Sequence, residues 1–305
     1  MRIVFIGQAP FGAESLQSLI DQGENIVGVI TIPDKPNQKY PNPVTVCAQK
    51  HSIPLYQTKL LKSQEAISWV KGQQPDLLVL AFVTSFVPLE MIKIAKKGGI
   101  NYHPSLLPKY RGGSAINWAL IHGEKETGVS IHFIDEGVDT GPILLQEKVD
   151  ITEDDTVKSV YFEKLYPLGI KLIARAVKLI REGKAEPIIQ DEAQASFQPV
   201  ITANDTVIDW SQPTQKVHDL IRGANPAPGA ATLVNGAPCK IFDARKGTEP
   251  GKPGAVVSLS DDSFSIATGD GSIRVLVIQP AGSKKLGAAE FAKENGLTTG
   301  DTFGS

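Results

Sequence analysis

The chain reads as an α/β protein, a parallel sheet covered by helices, followed by a small all-β domain. Three observations predict this. Runs that are apolar on both faces, at 2–7, 26–31 and 76–82, recur with helical spacing between them, as strands buried under helices do. Past residue 185 the alternation stops, and short strands broken by glycine and proline replace it. The length, 305 residues, is read as two domains.

The elements follow in order. Residues 2–7 form a buried strand, 8–12 a turn, and 14–20 continue at helical spacing. A second apolar strand covers 26–31. A proline-rich loop, 33–43, follows, including Asn37, because proline cannot extend a ladder. Residues 44–51 read as a helix, 54–56 as a short strand, 63–73 as a helix and 76–82 as a wholly apolar strand. A helix over 88–95 precedes the strand end at 99–103. Residues 114–121 are helical, and 129–134 and 143–146 are strands. One long helical region, 154–181, is interrupted by Pro167. Residues 187–199 form a polar stretch with little periodicity. Strands follow at 239–242, 255–258, 264–267 and 273–277, with one helix at 216–222. The expected division is a catalytic domain over 1–186, a linker over 187–203 and a β domain over 204–305.

Composition narrows the function. At 41% hydrophobic the chain has ample core, and no stretch is long and apolar enough to span a bilayer. The first residues begin as a strand and lack a signal peptide's cleavage site, so a cytoplasmic protein is expected. Cys47 and Cys239 lie far apart and are expected as free buried thiols; a zinc site would need more Cys and His at short spacing. A net charge of −2 gives no support to a nucleic-acid surface.

Gly7 to Gly12 follows the first strand as a dinucleotide loop would, but the pattern is GxxxxG without a following Lys-Ser/Thr. It reads as a tight strand-to-helix turn. Asp34 sits among prolines, so a dehydrogenase reading has little to stand on.

Asn101 and His103 carry more. They lie two residues apart on one strand, hence on one face, at the carboxyl end where parallel sheets place their ligand crevice. A buried amide can donate to a developing oxyanion, and an imidazole can carry a proton near neutral pH. Thirty residues on, Asp135, Glu136 and Asp139 cluster on a glycine-bordered loop. They fit a solvated turn, a metal loop lacking further ligands, or a glycosidase pair poorly placed to flank a bond. A carboxylate near His103 would orient it and stabilise its protonated form. His122 and His132 read as structural, Trp118 as core, and Lys39, Lys109 and Arg111 as solvated basics.

The stretch Asn101-Tyr102-His103-Pro104-Ser105-Leu106-Leu107-Pro108, followed by Asp139-Thr140-Gly141, resembles the folate-dependent formyltransferase family. The likeness extends to Ser114-Ala115-Ile116-Asn117-Trp118, Ile208-Asp209-Trp210, Ile221-Arg222-Gly223 and Pro228-Gly229-Ala230, as in two-domain members with a Rossmann-like and then an OB-like domain. The resemblance implies a catalytic triad of Asn101, His103 and Asp139. It implies folate contacts from Ser85, Phe86 and Val87, from Ser105, Leu106, Leu107 and Pro108, and from Asp135. The donor it implies is 10-formyltetrahydrofolate, with no metal. An amine would attack the formyl carbon, Asn101 and protonated His103 would meet the oxyanion, and Asp139 would hold His103.

The expected acceptor is an aminoacyl group, on tRNA or on a carrier protein. The family's tRNA enzymes resemble this chain but carry a basic insertion after the second strand, where 33–43 holds only Lys35 and Lys39. Residues 204–305 hold ten Lys/Arg against eleven Asp/Glu, which favours a carrier other than tRNA. Two alternatives accompany this reading: a 10-formyltetrahydrofolate hydrolase and a sugar-amine N-formyltransferase. The hydrolase has an aliphatic residue where this chain has Asn101, which favours transfer to an amine.

Overall fold

The computed structural model describes residues 1–36 and 38–304; Asn37 of the proline-rich loop and Ser305 lie outside the described residues. In chain order the strands and helices begin β1 (Arg2–Gly7), α1 (Ala9–Asp21), β2 (Asn25–Thr31), α2 (Pro43–Lys50), β3 (Leu55–Gln57), α3 (Gln64–Gln73), β4 (Leu77–Ala81), α4 (Leu89–Ile92) and β5 (Gly99–His103). They continue with β6 (Arg111–Gly112), α5 (Ala115–Ile121), β7 (Glu126–Phe133), β8 (Ile143–Asp150), α6 (Val157–Ser159), α7 (Tyr166–Arg181) and β9 (Phe197–Gln198). The remainder is α8 (Thr214–Gly223), β10 (Ala230–Val234), β11 (Ala237–Gly247), β12 (Val256–Leu259), β13 (Phe264–Ala267), β14 (Ser272–Pro280), β15 (Leu286–Gly287) and α9 (Ala288–Glu294).

These elements form two compact units built from interleaved segments. The first comprises Met1–Arg111, Gly128–Lys148 and Leu165–Phe197; the second comprises Gly112–Thr127, Val149–Lys164 and the chain from Gln198 onward.

The first unit is doubly wound. Its sheet runs β3-β2-β1-β4-β5-β7-β8, parallel from β3 through β5, with β7 antiparallel to β5. The two-faced apolar runs explain the core: every residue of β4 is buried, and Ile3, Val4 and Phe5 of β1 are fully so. The strand order reverses between β1 and β4, which places a crevice at their carboxyl ends. The turn at 8–12 is tighter than the sequence predicts. Gln8 caps α1, which already starts at Ala9, and Gly12 is a buried helical residue. Pro167 does not interrupt α7; it sits in its first turn, where no amide donor is missed. The segment before it, Val160–Leu165, is a π-helical turn.

The second unit is antiparallel, with strand order β10-β11-β14-β13-β12 and β15 added to β14. Its two edges are joined by the last residues. Phe303 bridges Val234 of β10, and Thr302 bridges Ala255 beside β12, which closes the sheet into a small barrel. Ile241, Ile266, Ile273 and Val275 fill its core, with Val217 and Ile221 of α8. Past residue 204, where the sequence predicts the one helix α8, the chain forms a second, α9, starting directly from β15. Helix α5 joins this unit by packing on α8. Gly223 permits the approach, since a Cβ there would lie 2.6 Å from Ile121. Asn117 Nδ2 then donates to the Gly223 carbonyl at 2.8 Å.

Candidate active site

Antiparallel pairing of β5 with β7 builds the site. The register sets Asn101 opposite His132 and His103 opposite Ser130, while Tyr102 and Ile131 alternate to the buried face. Two imidazoles and an amide therefore share one face. The loop between β7 and β8 then brings Asp139 over them in left-handed backbone, φ 56°.

Short bonds to main-chain carbonyls fix the rings, and longer contacts join them to Asp139. His103 Nε2 donates to the Tyr110 carbonyl at 2.7 Å, which fixes a proton on that nitrogen. Its Nδ1 lies 3.4 Å from Asp139 Oδ2. His132 Nδ1 donates to the Phe133 carbonyl at 2.8 Å, and its Nε2 lies 3.4 Å from Asp139 Oδ1. Asn101 Nδ2 is 3.3 Å from His132 Nε2 and 3.5 Å from Asp139 Oδ1. One carboxylate thus sits between two rings whose far nitrogens are already committed to main-chain carbonyls. Burial pushes the His103 pKa below its ordinary value, against the opposing pull of Asp139 and the Tyr110 carbonyl. A ring so poised gives up its proton readily.

The expected folate residues divide. Ser105 is buried, its hydroxyl donates to the Lys109 carbonyl at 2.7 Å, and its own carbonyl accepts from Ser130 Oγ at 2.7 Å. Ser130 Oγ also accepts from the Leu107 amide, and Gln146 Nε2 holds the Leu107 carbonyl. Leu107 is buried, and Leu106 and Pro108 are partly so. This places 105–108 as a fixed loop directly after His103. Residues 85–87 do not act together. Ser85 lines a narrow cleft with Gly7, Gln8, Ile30 and Thr58. Phe86 is 69% exposed, and Val87 belongs to the buried core that also holds Val4, Leu78 and Met91. Asp135 is exposed; its Oδ1 accepts from the Gly137 amide and the Thr140 hydroxyl, closing the turn that leads to Asp139.

Three side chains at this site escape the sequence reading. His132 belongs to the cluster rather than to the packing. Arg111 is buried rather than solvated, and Gln190, in the stretch read as a linker, is buried beside it. Only the register of β7 and the path of 187–194 place them, and neither leaves a local pattern. Among the described residues no group of three or more His, Cys, Asp or Glu side chains is arranged to hold a metal ion. Among them, too, no helix is long and apolar enough to cross a membrane.

Comparison with known proteins agrees with this architecture. Residues 1–177 match the family described as formyl transferase, and residues 200–296 match its carboxy-terminal domain. The two matches define a formyl-transferring enzyme of two domains. A methionyl-tRNA formyltransferase of Halalkalibacterium halodurans is 39% identical over 100% of this chain and 98% of its own length. One of Trichlorobacter lovleyi is 35% identical over 98% of this chain and 96% of its own. The chain belongs to the formyl transferase family. Among solved structures, the phosphoribosylglycinamide formyltransferase of Bacillus halodurans is 30% identical with a TM-score of 0.52, covering 60% of this chain and 97% of that one. HypX of Aquifex aeolicus, solved with tetrahydrofolic acid, shares the fold at a TM-score of 0.69 and 22% identity, over 96% of this chain. This chain spans about half the length of HypX, 47%, and nearly all the length of the curated relatives.

Proposed function

We propose that this formyltransferase moves the formyl group of 10-formyltetrahydrofolate onto the amino group of an aminoacyl-tRNA, with methionyl-tRNA as the first choice of acceptor. One observation carries the chemistry: the side chains of Asn101 and His103, at the end of β5, both lie within 3.5 Å of the Asp139 carboxylate. Near full-length likeness to proteins named methionyl-tRNA formyltransferase, at 35–39% identity, supports the acceptor and outweighs the charge count over 204–305.

The reaction forms a C–N bond from the attacking amine to the formyl carbon and breaks the bond from that carbon to the folate nitrogen. The amine loses a proton and the leaving nitrogen gains one. Asn101 and protonated His103 stabilise the tetrahedral oxyanion. Asp139 holds His103 and, through water, helps pass the proton; apo distances of 3.4 Å are of the kind that tighten on substrate binding. We assign the folate contacts to Ser105 to Pro108, Ser85, Phe86 and Asp135, with Val87 anchoring its segment in the core. We place the reaction in the cytoplasm, where the free buried Cys47 and Cys239 suit a reducing compartment.

The test is conversion of 10-formyltetrahydrofolate with methionyl-tRNA, an aminoacyl carrier-protein thioester, an amino sugar and no acceptor. Turnover with methionyl-tRNA alone is the expected result. Turnover with the thioester but not the tRNA would overturn the acceptor, and formate release without any amine would overturn transfer.

A further inference from the structure

We propose that Gln190 and Arg111 are positioning residues that hold the Asp139 carboxylate against His103. The inference rests on the reading of Asp139 given above and adds two side chains to it.

Gln190 uses both of its amide hydrogens on the loop: Nε2 donates to the Asp139 carbonyl at 2.8 Å and to the Gly141 carbonyl at 2.7 Å. It therefore grips the main chain on both sides of Thr140. Its Oε1 accepts from Arg111 Nε at 3.1 Å and Nη2 at 2.9 Å. That fork settles which end of the amide faces the loop, since a guanidinium offers donors only. The other edge of the guanidinium takes Glu192, Nη1 at 2.9 Å and Nη2 at 2.6 Å. Arg111 and Gln190 are each 6% exposed. Two residues before Gln190, Ile188 exchanges both main-chain hydrogen bonds with Ile143, each 2.8 Å. The segment 188–192 is thus strapped to the strand that follows the loop, and Gln190 reaches from the strap to the loop itself.

The strap has a specific load. Asp139 is held at φ 56°, a conformation that costs a non-glycine residue about 1 kcal/mol or more and persists only where neighbours over-determine it. Gln190 supplies that restraint at the Asp139 carbonyl itself. Its loss would let the backbone relax and carry the carboxylate away from His103 Nδ1.

Gln190→Glu tests this directly: it keeps an acceptor for Arg111 and removes both donors to the loop. Turnover is expected to fall about 10- to 100-fold, with the KM for the folate donor changed by less than about two-fold, as for a misplaced proton-handling group. In the folate-free protein, the ring-resonance titration of His103 is expected to shift toward that of Asp139→Asn. Arg111→Lys keeps the charge but cannot fork between Gln190 and Glu192, so it shifts both readouts in the same direction by less. Urea unfolding of each variant confirms that the protein assayed is folded. Unchanged turnover with unchanged His103 titration overturns the inference. If Asp139→Asn itself turns over like the wild type, the catalytic reading of Asp139 fails. The His103 titration in Gln190→Glu then decides the positioning role alone: a shift supports it, and no shift overturns it.

Discussion

Asp139 is where residue-scale chemistry concentrates. Each flanking imidazole donates one N–H to a main-chain carbonyl, so in a neutral ring the nitrogen facing Asp139 carries a lone pair. Two lone pairs against one carboxylate is an unfavourable arrangement. A proton arriving at His103 during the reaction would relieve it, since the Asp139 carboxylate stands 3.4 Å from Nδ1. Asp139→Asn removes the charge that retains this proton, and turnover should fall by about 10²- to 10⁴-fold across the pH range. A change confined to folate affinity would show that Asp139 has no proton role. His132→Ala removes the acceptor for Asn101 Nδ2, and a fall in turnover of about ten-fold is expected in the same donor-conversion assay, the scale of a lost orienting contact; no change would return His132 to packing. Asn101 and His103 were legible because strand side chains repeat every two residues. His132 was not, because its place opposite Asn101 depends on the antiparallel register of β7. A buried Arg111 was equally hidden, since its partners Gln190 and Glu192 lie about eighty residues away in sequence.

At the scale of elements, the loop from β7 to β8 works because Gly141 has no side chain. A Cβ there would overlap the Phe133 carbonyl oxygen, in a place where Phe133 N also donates to the Pro142 carbonyl at 2.9 Å. Gly141→Ala should cost about 1–3 kcal/mol by overpacking and should lower turnover with it, because Asp139 is two residues upstream; thermal melting and the donor assay report the two effects separately. In the second unit, α8 buries Arg222 against Asp219, with Nε and Nη2 both 2.6 Å from Oδ1, and Nη1 reaches the Thr152 carbonyl at 3.2 Å. Asp219→Ala leaves that guanidinium buried without its counter-charge, and a loss of about 3–5 kcal/mol is expected from urea denaturation. A loss under about 1 kcal/mol would mean that the carbonyls and water suffice. The helices and buried strands of the first unit were readable because their apolar periodicity is strong. The role of Pro167 was misread, because a proline within a helical pattern can stop one helix or start the next, and local sequence does not say which. Helix α9 was missed because Gly287 and Gly296 border it in a stretch read as strands broken by glycine.

For the whole molecule, the buried histidines set the response to acid. His103 lies in the first unit and His218 in the second, and both are almost fully buried. Burial holds His218 below the ordinary imidazole value of 6.5, and the neighbouring Arg222 adds to that; its Nδ1 has no hydrogen-bond partner among the described residues. Burial does the same to His103. A ring depressed in the folded state binds fewer protons than it does unfolded, so stability rises with pH across the interval between the two values. The contribution is complete above 6.5 and is lost as pH falls through the folded-state values, the direction buried carboxylates also follow. Each such proton contributes a slope of up to about 1.4 kcal/mol per pH unit within its window. The urea midpoint should therefore be nearly level from pH 7.5 to about pH 6.5 and drop from there to pH 5, before most carboxylates titrate. His218→Gln, which removes one of the two groups, should flatten that slope while His103 keeps the remainder. A midpoint that is level or rises on acidification would mean that the two rings are already charged in the native protein.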